Sequence, residues 1–182
     1  MKTTGNKETD REPRTANVES QTTAAPIGGY SHPLYGIVQK QPFFKGLSSA
    51  QLMVLAESAV IMQFGTGDKI FAEGDQASRF YLILEGRVSL EAETAERRTL
   101  PIQILGPGED LGWSWLFPPF LMHFGARALE PTRVILFYGI RLRQQCEEDH
   151  DLGYELMKRI AAVMMNRLQA TRQRWLNTSP LA

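Results

Sequence analysis

Between residues 104 and 127 the chain reads ILGPGEDLGWSWLFPPFLMHFGAR, and the fold turns on how that stretch is read. Gly106-Pro107-Gly108 is a turn, Glu109-Asp110-Leu111-Gly112 follows it, and an aromatic insert broken by Pro118 and Pro119 runs on to Ala126-Arg127. Glycines at 106, 108 and 112 permit positive φ and close backbone approach. Successive N–H groups beside such glycines can form a nest for an anion.

Outward from that stretch, short apolar runs at 60–64, 70–71, 80–84, 88–92 and 100–105 alternate with turn signals. The turns are Gly65-Thr66-Gly67-Asp68, Gly74-Asp75, Glu85-Gly86 and a polar hairpin loop over 93–98. A last strand is expected at 133–138, RVILFY. Strands recurring every ~8–12 residues predict a β-sandwich or jelly roll. Ser48-Ser49-Ala50-Gln51 is a capping-box pattern, and Leu52, Leu55, Ala56 and Ala59 supply helical spacing, so a short helix is expected over about 49–58.

From Arg141 onward the pattern is helical. Asp149 or Asp151 can cap a helix over about 152–176, with acids leading and bases trailing as the helix dipole favours. Met157, Ala161, Met164, Leu168, Thr171 and Trp175 repeat at spacings of four and three, a coiled-coil-like seam. A second stripe, Leu156, Ile160 and Val163, is expected to pack on the chain's own barrel. Two stripes imply two partners, the barrel and a second subunit; a single broad core-facing stripe is the alternative.

Composition narrows the function classes. In 182 residues, 20 Lys and Arg balance 20 Asp and Glu, so the whole chain carries no nucleic-acid footprint. Cys146 stands alone, and His32, His123 and His150 are scattered, so no metal motif and no catalytic group of residues is expected. No apolar run approaches the ~20 residues of a membrane span. Residues 1–20 lack the apolar core of a secretory signal, and a cytoplasmic protein is expected. Residues 1–29 read as a disordered polar tail, because almost nothing large and apolar precedes Ile27.

The 104–127 stretch resembles the phosphate-binding cassette of cyclic-nucleotide-binding domains in the catabolite-activator superfamily. Phe71-Ala72-Glu73-Gly74-Asp75 and FYLILEGRV at 80–88 are similar to that family's core signature, and the likeness runs over about 42–176. It implies a mainly β fold with flanking helices: a β jelly roll (double-stranded β-helix) over 42–140, preceded by a lead-in at 30–41. C-terminal helices over 141–177, with a dimerisation helix, and a tail at 178–182 complete it. It also implies a ligand site at Gly106, Gly108, Glu109, Leu111, Gly112, Trp113, Met122, His123 and Thr171.

Two anchors depart from the family pattern. Where the family places a Glu for the ribose hydroxyl, this chain has Trp113; where it places an Arg for the cyclic phosphate, it has Met122 or His123, depending on the direction of counting. Arg127 is an odd offset from Met122 and faces the other side of its strand. Thr171 matches a purine-contacting Thr, while Arg172 replaces a small hydroxyl residue. Trp113, Trp115, Phe117, Phe120 and Phe124 either fill the cavity or shape a pocket for a flatter, more apolar ligand. Asp110 and Glu109 read as solvated turn residues.

The resemblance implies a non-enzymatic sensor that takes cyclic AMP, cyclic GMP or a related effector weakly, without a cofactor. Such a sensor would dimerise through Met157, Ala161, Met164, Leu168 and Trp175 and signal to a partner protein. The alternative is a ligand-free scaffold of the same fold. Transcription factors of that family continue into a helix-turn-helix domain, whereas seven residues follow Trp175 here, so no direct sequence-specific DNA reading is expected.

Overall fold

Alternation along one strand organises the molecule. In the computed structural model, which describes residues 32–96 and 98–178, Phe80 and Leu82 pack into one apolar cluster and Tyr81 and Ile83 into another. Side chains on a strand alternate between faces, so this strand, β3 (Arg79–Glu85), is covered on both sides. Its neighbour β8 (Thr132–Tyr138) divides the same way, with Ile135 and Phe137 outward and Val134 and Leu136 inward. Burial on both faces explains why both strands read as unbroken apolar runs.

The remaining strands are β1 (Ala59–Phe64), β2 (Lys69–Phe71), β4 (Val88–Glu93), β5 (Thr99–Leu105), β6 (Asp110–Leu111) and β7 (Gly125–Ala128). They form two four-stranded antiparallel sheets, ordered β1-β8-β3-β6 and β2-β7-β4-β5, with the inner cluster between them. This is the jelly roll expected from the sequence. The 93–98 loop closes as a hairpin, Thr94 donating its N–H to Arg98 O at 2.8 Å. β6 has no counterpart in the sequence reading, because two residues are too few to show a period.

Helices cover the outer face of the first sheet. α1 (Tyr35–Gln39) is short, in keeping with Pro33 just before it and Gly36 within it, and a 3-10 turn follows at Pro42–Phe44. α2 (Ser49–Glu57) starts on the expected capping box: Ser48 Oγ accepts from Gln51 N–H, and Gln51 Oε1 accepts from Ser48 N–H. α3 spans Gly139–Glu148 and α4 His150–Thr178. Asp149 is the residue that caps α4, its Oδ1 accepting from Leu152 N–H at 2.9 Å. Leu152, Leu156 and Ile160 are buried against Phe44, Leu55, Phe80 and Phe137, with Val163 partly buried beside them. Met157, Ala161, Met164, Leu168 and Trp175 are exposed on another face. The two stripes are therefore separate on the helix. The expected tail at 1–29 and most of the one at 178–182 lie outside the described residues.

Candidate functional site

The Gly-Pro-Gly turn spends its own donors. Glu109 Oε2 accepts from Gly106 N–H at 2.8 Å, Ile83 O accepts from Gly108 N–H at 2.8 Å, and Gly106 O accepts from Glu109 N–H at 3.1 Å. The N–H groups at 106, 108 and 109 thus serve the turn, not an open anion nest. Gly112 is required where it stands, because its φ is +84° and an added Cβ would lie 2.8 Å from Arg79 O.

Past Gly112 the chain enters a single 3-10 turn, Trp113–Leu116, and then returns to β7 through Met122 and His123. Gly112, Trp113, Met122 and His123 come together around one cavity inside the roll, completed by Phe71, Leu90, Ser114, Phe124 and Arg167. Trp113 stacks on His123 with ring centroids 5.9 Å apart and planes 17° from parallel, and His123 Nδ1 lies 2.9 Å from Ser114 Oγ. Met122 faces inward at 4% exposure while His123 is exposed, so both positions reached by counting border the same space. That space is about 20 Å³, room for about one water molecule, whereas small-molecule sites run from roughly 300 Å³ upward.

The aromatic insert divides its labour. Trp115 is fully buried outside the roll, among Phe80, Phe137, Leu142 and Leu152. Gly139 gives it space: a Cβ there would lie 2.8 Å from Trp115 Cβ. Arg143 of α3 donates to Trp115 O and sits 4.4 Å from the Phe120 ring centroid. Trp115 therefore fixes the insert to the helices, and Trp113 with His123 covers the interior. Arg127 lies on β7 while Met122 precedes that strand, so the offset between them does not set its direction; it pairs with Glu91 at 3.3 Å and does not border the cavity.

Asp110 corrects the sequence reading. It is 3% exposed, not solvated, because β6 pairs it with Leu82 and α4 lies over it. Arg167 of α4 donates to Asp110 O, and its guanidinium is 3.6 Å from Asp110 Oδ1. Asp110 Oδ2 is buried and has no hydrogen-bond partner. Burial pushes this carboxyl above its ordinary range, and the Arg167 charge opposes the shift. Their pairing was not legible in the sequence, since they are 57 positions apart and nothing in a periodic pattern joins them. Glu109 is exposed, as expected of a turn residue.

Arg167 also borders a second, larger space. A groove of about 940 Å³ opens outside the roll between the 42–46 segment, the Gly-Pro-Gly turn and α4. Gly108 and Glu109 face this groove, not the interior cavity, while Leu111 is buried in the inner core. Thr171 is exposed on α4 and borders neither space. Among the described residues no cluster of His, Cys, Asp or Glu could hold a metal ion, and no helix is long and apolar enough to cross a membrane. Cys146 is pushed up to about 11, first by burial and then by Asp149 and Glu147, which suppresses its thiolate.

Residues 61–149 match the family model described as the cyclic nucleotide-binding domain. A protein from Geobacter metallireducens GS-15, named for cyclic nucleotide binding, has a crystal structure 34% identical in sequence, with a TM-score of 0.66 over 73% of this chain and 96% of that one. A cyclic nucleotide-binding domain from Methylobacillus flagellatus KT gives a TM-score of 0.68 at 19% identity, over 82% of this chain and 84% of that one, a likeness of fold. A CRP-like cAMP-activated global transcriptional regulator from Mycobacterium tuberculosis is 23% identical over 135 residues, 74% of this chain. The chain spans 58% of the length of that regulator.

Proposed function

We propose that this chain, which belongs to the cyclic nucleotide-binding domain family, is a non-enzymatic regulatory module that senses a small effector and passes its state to a partner protein. The carrying observation is the Arg167–Asp110 contact. It ties the first strand of the cassette to the long helix, so any movement of the cassette loads α4 directly. Regulation in the relatives supports the reading: the Mycobacterium tuberculosis protein is named as cAMP-activated, and a Xanthomonas campestris relative as responsive to c-di-GMP. The effector here is a cyclic nucleotide or a related compound held weakly, because Trp113 and Met122 stand at the two polar anchors.

The output is a homodimer on α4. Met157 (43% exposed), Met164 (39%), Leu168 (64%) and Trp175 (67%), with Ala161 among them, make an apolar stripe that water would otherwise cover. A second copy of the same helix fits it through the four-and-three spacing. Met164→Glu with Leu168→Glu should give a monomer by light scattering; a parent already monomeric at micromolar concentration would remove the second-copy reading. A protein partner is proposed in place of DNA: any gel shift should fade steeply with salt, and a salt-resistant, sequence-selective shift would contradict this.

A scaffold reading competes, and the closed interior of about 20 Å³ is the observation that favours it. Hydrogen exchange of α4 with and without cyclic AMP, cyclic GMP and c-di-GMP separates the two. Altered exchange or a raised unfolding midpoint with any of them supports the sensor. No response to any supports the scaffold.

A further inference from the structure

We propose that the groove outside the roll is a ligand site in its own right, for a nucleotide-sized anion with an apolar ring, a phosphate or carboxylate at one end and hydroxyl or amino donors at the other. The inference rests on the sensor reading above and locates its effector. It concerns a different space from the cassette interior: about 940 Å³ against about 20 Å³, and only the first lies in the range of roughly 300–1,000 Å³ that holds such molecules.

The groove is polarised along α4. At one end Glu155 is the sole bordering carboxylate and faces Lys45, Lys158 and Arg159. It already takes both Lys158 and Arg159. Arg159 also donates to Lys45 O at 2.8 Å, which ties the 42–46 segment to the helix. With Lys45 also in the lining, that end carries excess positive charge, which suits an anionic group. At the other end the balance reverses. Arg167 is engaged by Asp110, Glu109 adds a further negative charge, and Asp110 keeps one buried carboxylate oxygen without a donor. Gln103 and Asn166 border the same end and offer amides.

Between the ends the bed is apolar, formed by Pro42, Phe43, Ala162 and Val163. From residue 159 to 167 the helix advances about 12 Å, which matches the span of a nucleoside monophosphate. Glycine suits both walls, since Gly108 has a φ of +86° and Gly46 a φ of +90°.

Titration calorimetry with adenosine 5′-monophosphate and 1-naphthyl phosphate tests this on the whole chain. The parent should bind at least one of them saturably, and should bind adenosine less tightly than its phosphate. Lys45→Glu with Lys158→Glu should weaken phosphate binding at least ~10-fold, about 1.4 kcal/mol. Ala162 is exposed, so Ala162→Trp should fill the groove and abolish binding while the unfolding midpoint stays near that of the parent. Arg87→Ala, on an exposed side chain that pairs with Glu130 and borders neither space, should leave binding unchanged. Binding that the groove variants leave intact would overturn the proposal. If α4 still answered an effector in that case, the sensor reading would stand without the groove. No saturable binding by the folded parent and no response of α4 would remove both.

Discussion

The two spaces that meet at Arg167 differ in what closes them. The interior cavity is reduced to about 20 Å³ by the side chains that stand where a ribose and a cyclic phosphate would be held, Trp113 stacked on His123 and Met122 beneath. The outer groove is bounded by charged side chains and glycines and stays open. The same fold therefore shut one site with apolar volume and left charge beside another. Apolar filling strengthens the roll, because each buried side chain adds ~1.5–3 kcal/mol. It also removes the room a ligand needs.

The largest effect that sharpens this contrast concerns Trp115. It is buried among the helices, not in the cassette interior, so Trp115→Ala should lower stability by ~3–5 kcal/mol in denaturant unfolding. The variant should acquire no affinity for cyclic nucleotide; if it did, Trp115 would be a plug of the interior after all.

Next comes the shared wall. Arg167→Ala leaves the Asp110 carboxylate buried without its counter-charge, at a cost of about 3 kcal/mol at neutral pH. The low end of that range applies because the Arg167 side chain is 17% exposed. Burial raises the folded-state pKa of Asp110, so the folded chain takes up a proton before the unfolded chain does. Stability from this group is then gained as pH falls through the raised value. The variant's deficit should shrink on acidification, and urea titrations at neutral and mildly acidic pH check it. A deficit that grows toward acid would mean the carboxyl is stabilised as an anion.

Met122→Ala should cost about 2 kcal/mol and enlarge the interior cavity without altering the groove; a crystal structure of the variant reads both. Smallest is Ser48→Ala, remote from both spaces, which removes the α2 cap and should cost about 1 kcal/mol by thermal unfolding. A far larger loss would mean α2 helps hold the groove wall at 42–46.

What was legible in the sequence follows from period and local chemistry. The unbroken apolar runs at 80–84 and 133–138 and the capping box at Ser48 are short-range signals, and the structure has both. The split of α4 into a buried and an exposed stripe was readable from spacing alone. Asp110 was not, because an acid after a glycine turn looks solvated until a helix from far along the chain lies over it. Neither was the service of Trp115 to the helices and of Trp113 to the interior, since two residues apart on a 3-10 turn is no strand alternation. The groove was invisible for the same reason: residues 42–46, 108–110 and 155–170 meet only in three dimensions.

Calorimetric titration with cyclic AMP of the Ala162→Trp chain, in which the outer groove is filled, tests the central claim most directly. A cassette closed by Trp113, Met122 and His123 predicts no saturable binding at micromolar ligand. It also predicts a gain of at least ~10-fold, about 1.4 kcal/mol, when Trp113→Glu and Met122→Arg together restore a carboxylate and a guanidinium. Tight saturable binding of cyclic AMP by the groove-filled chain would contradict the account, because the ligand would then have to enter the interior past Trp113, Met122 and His123.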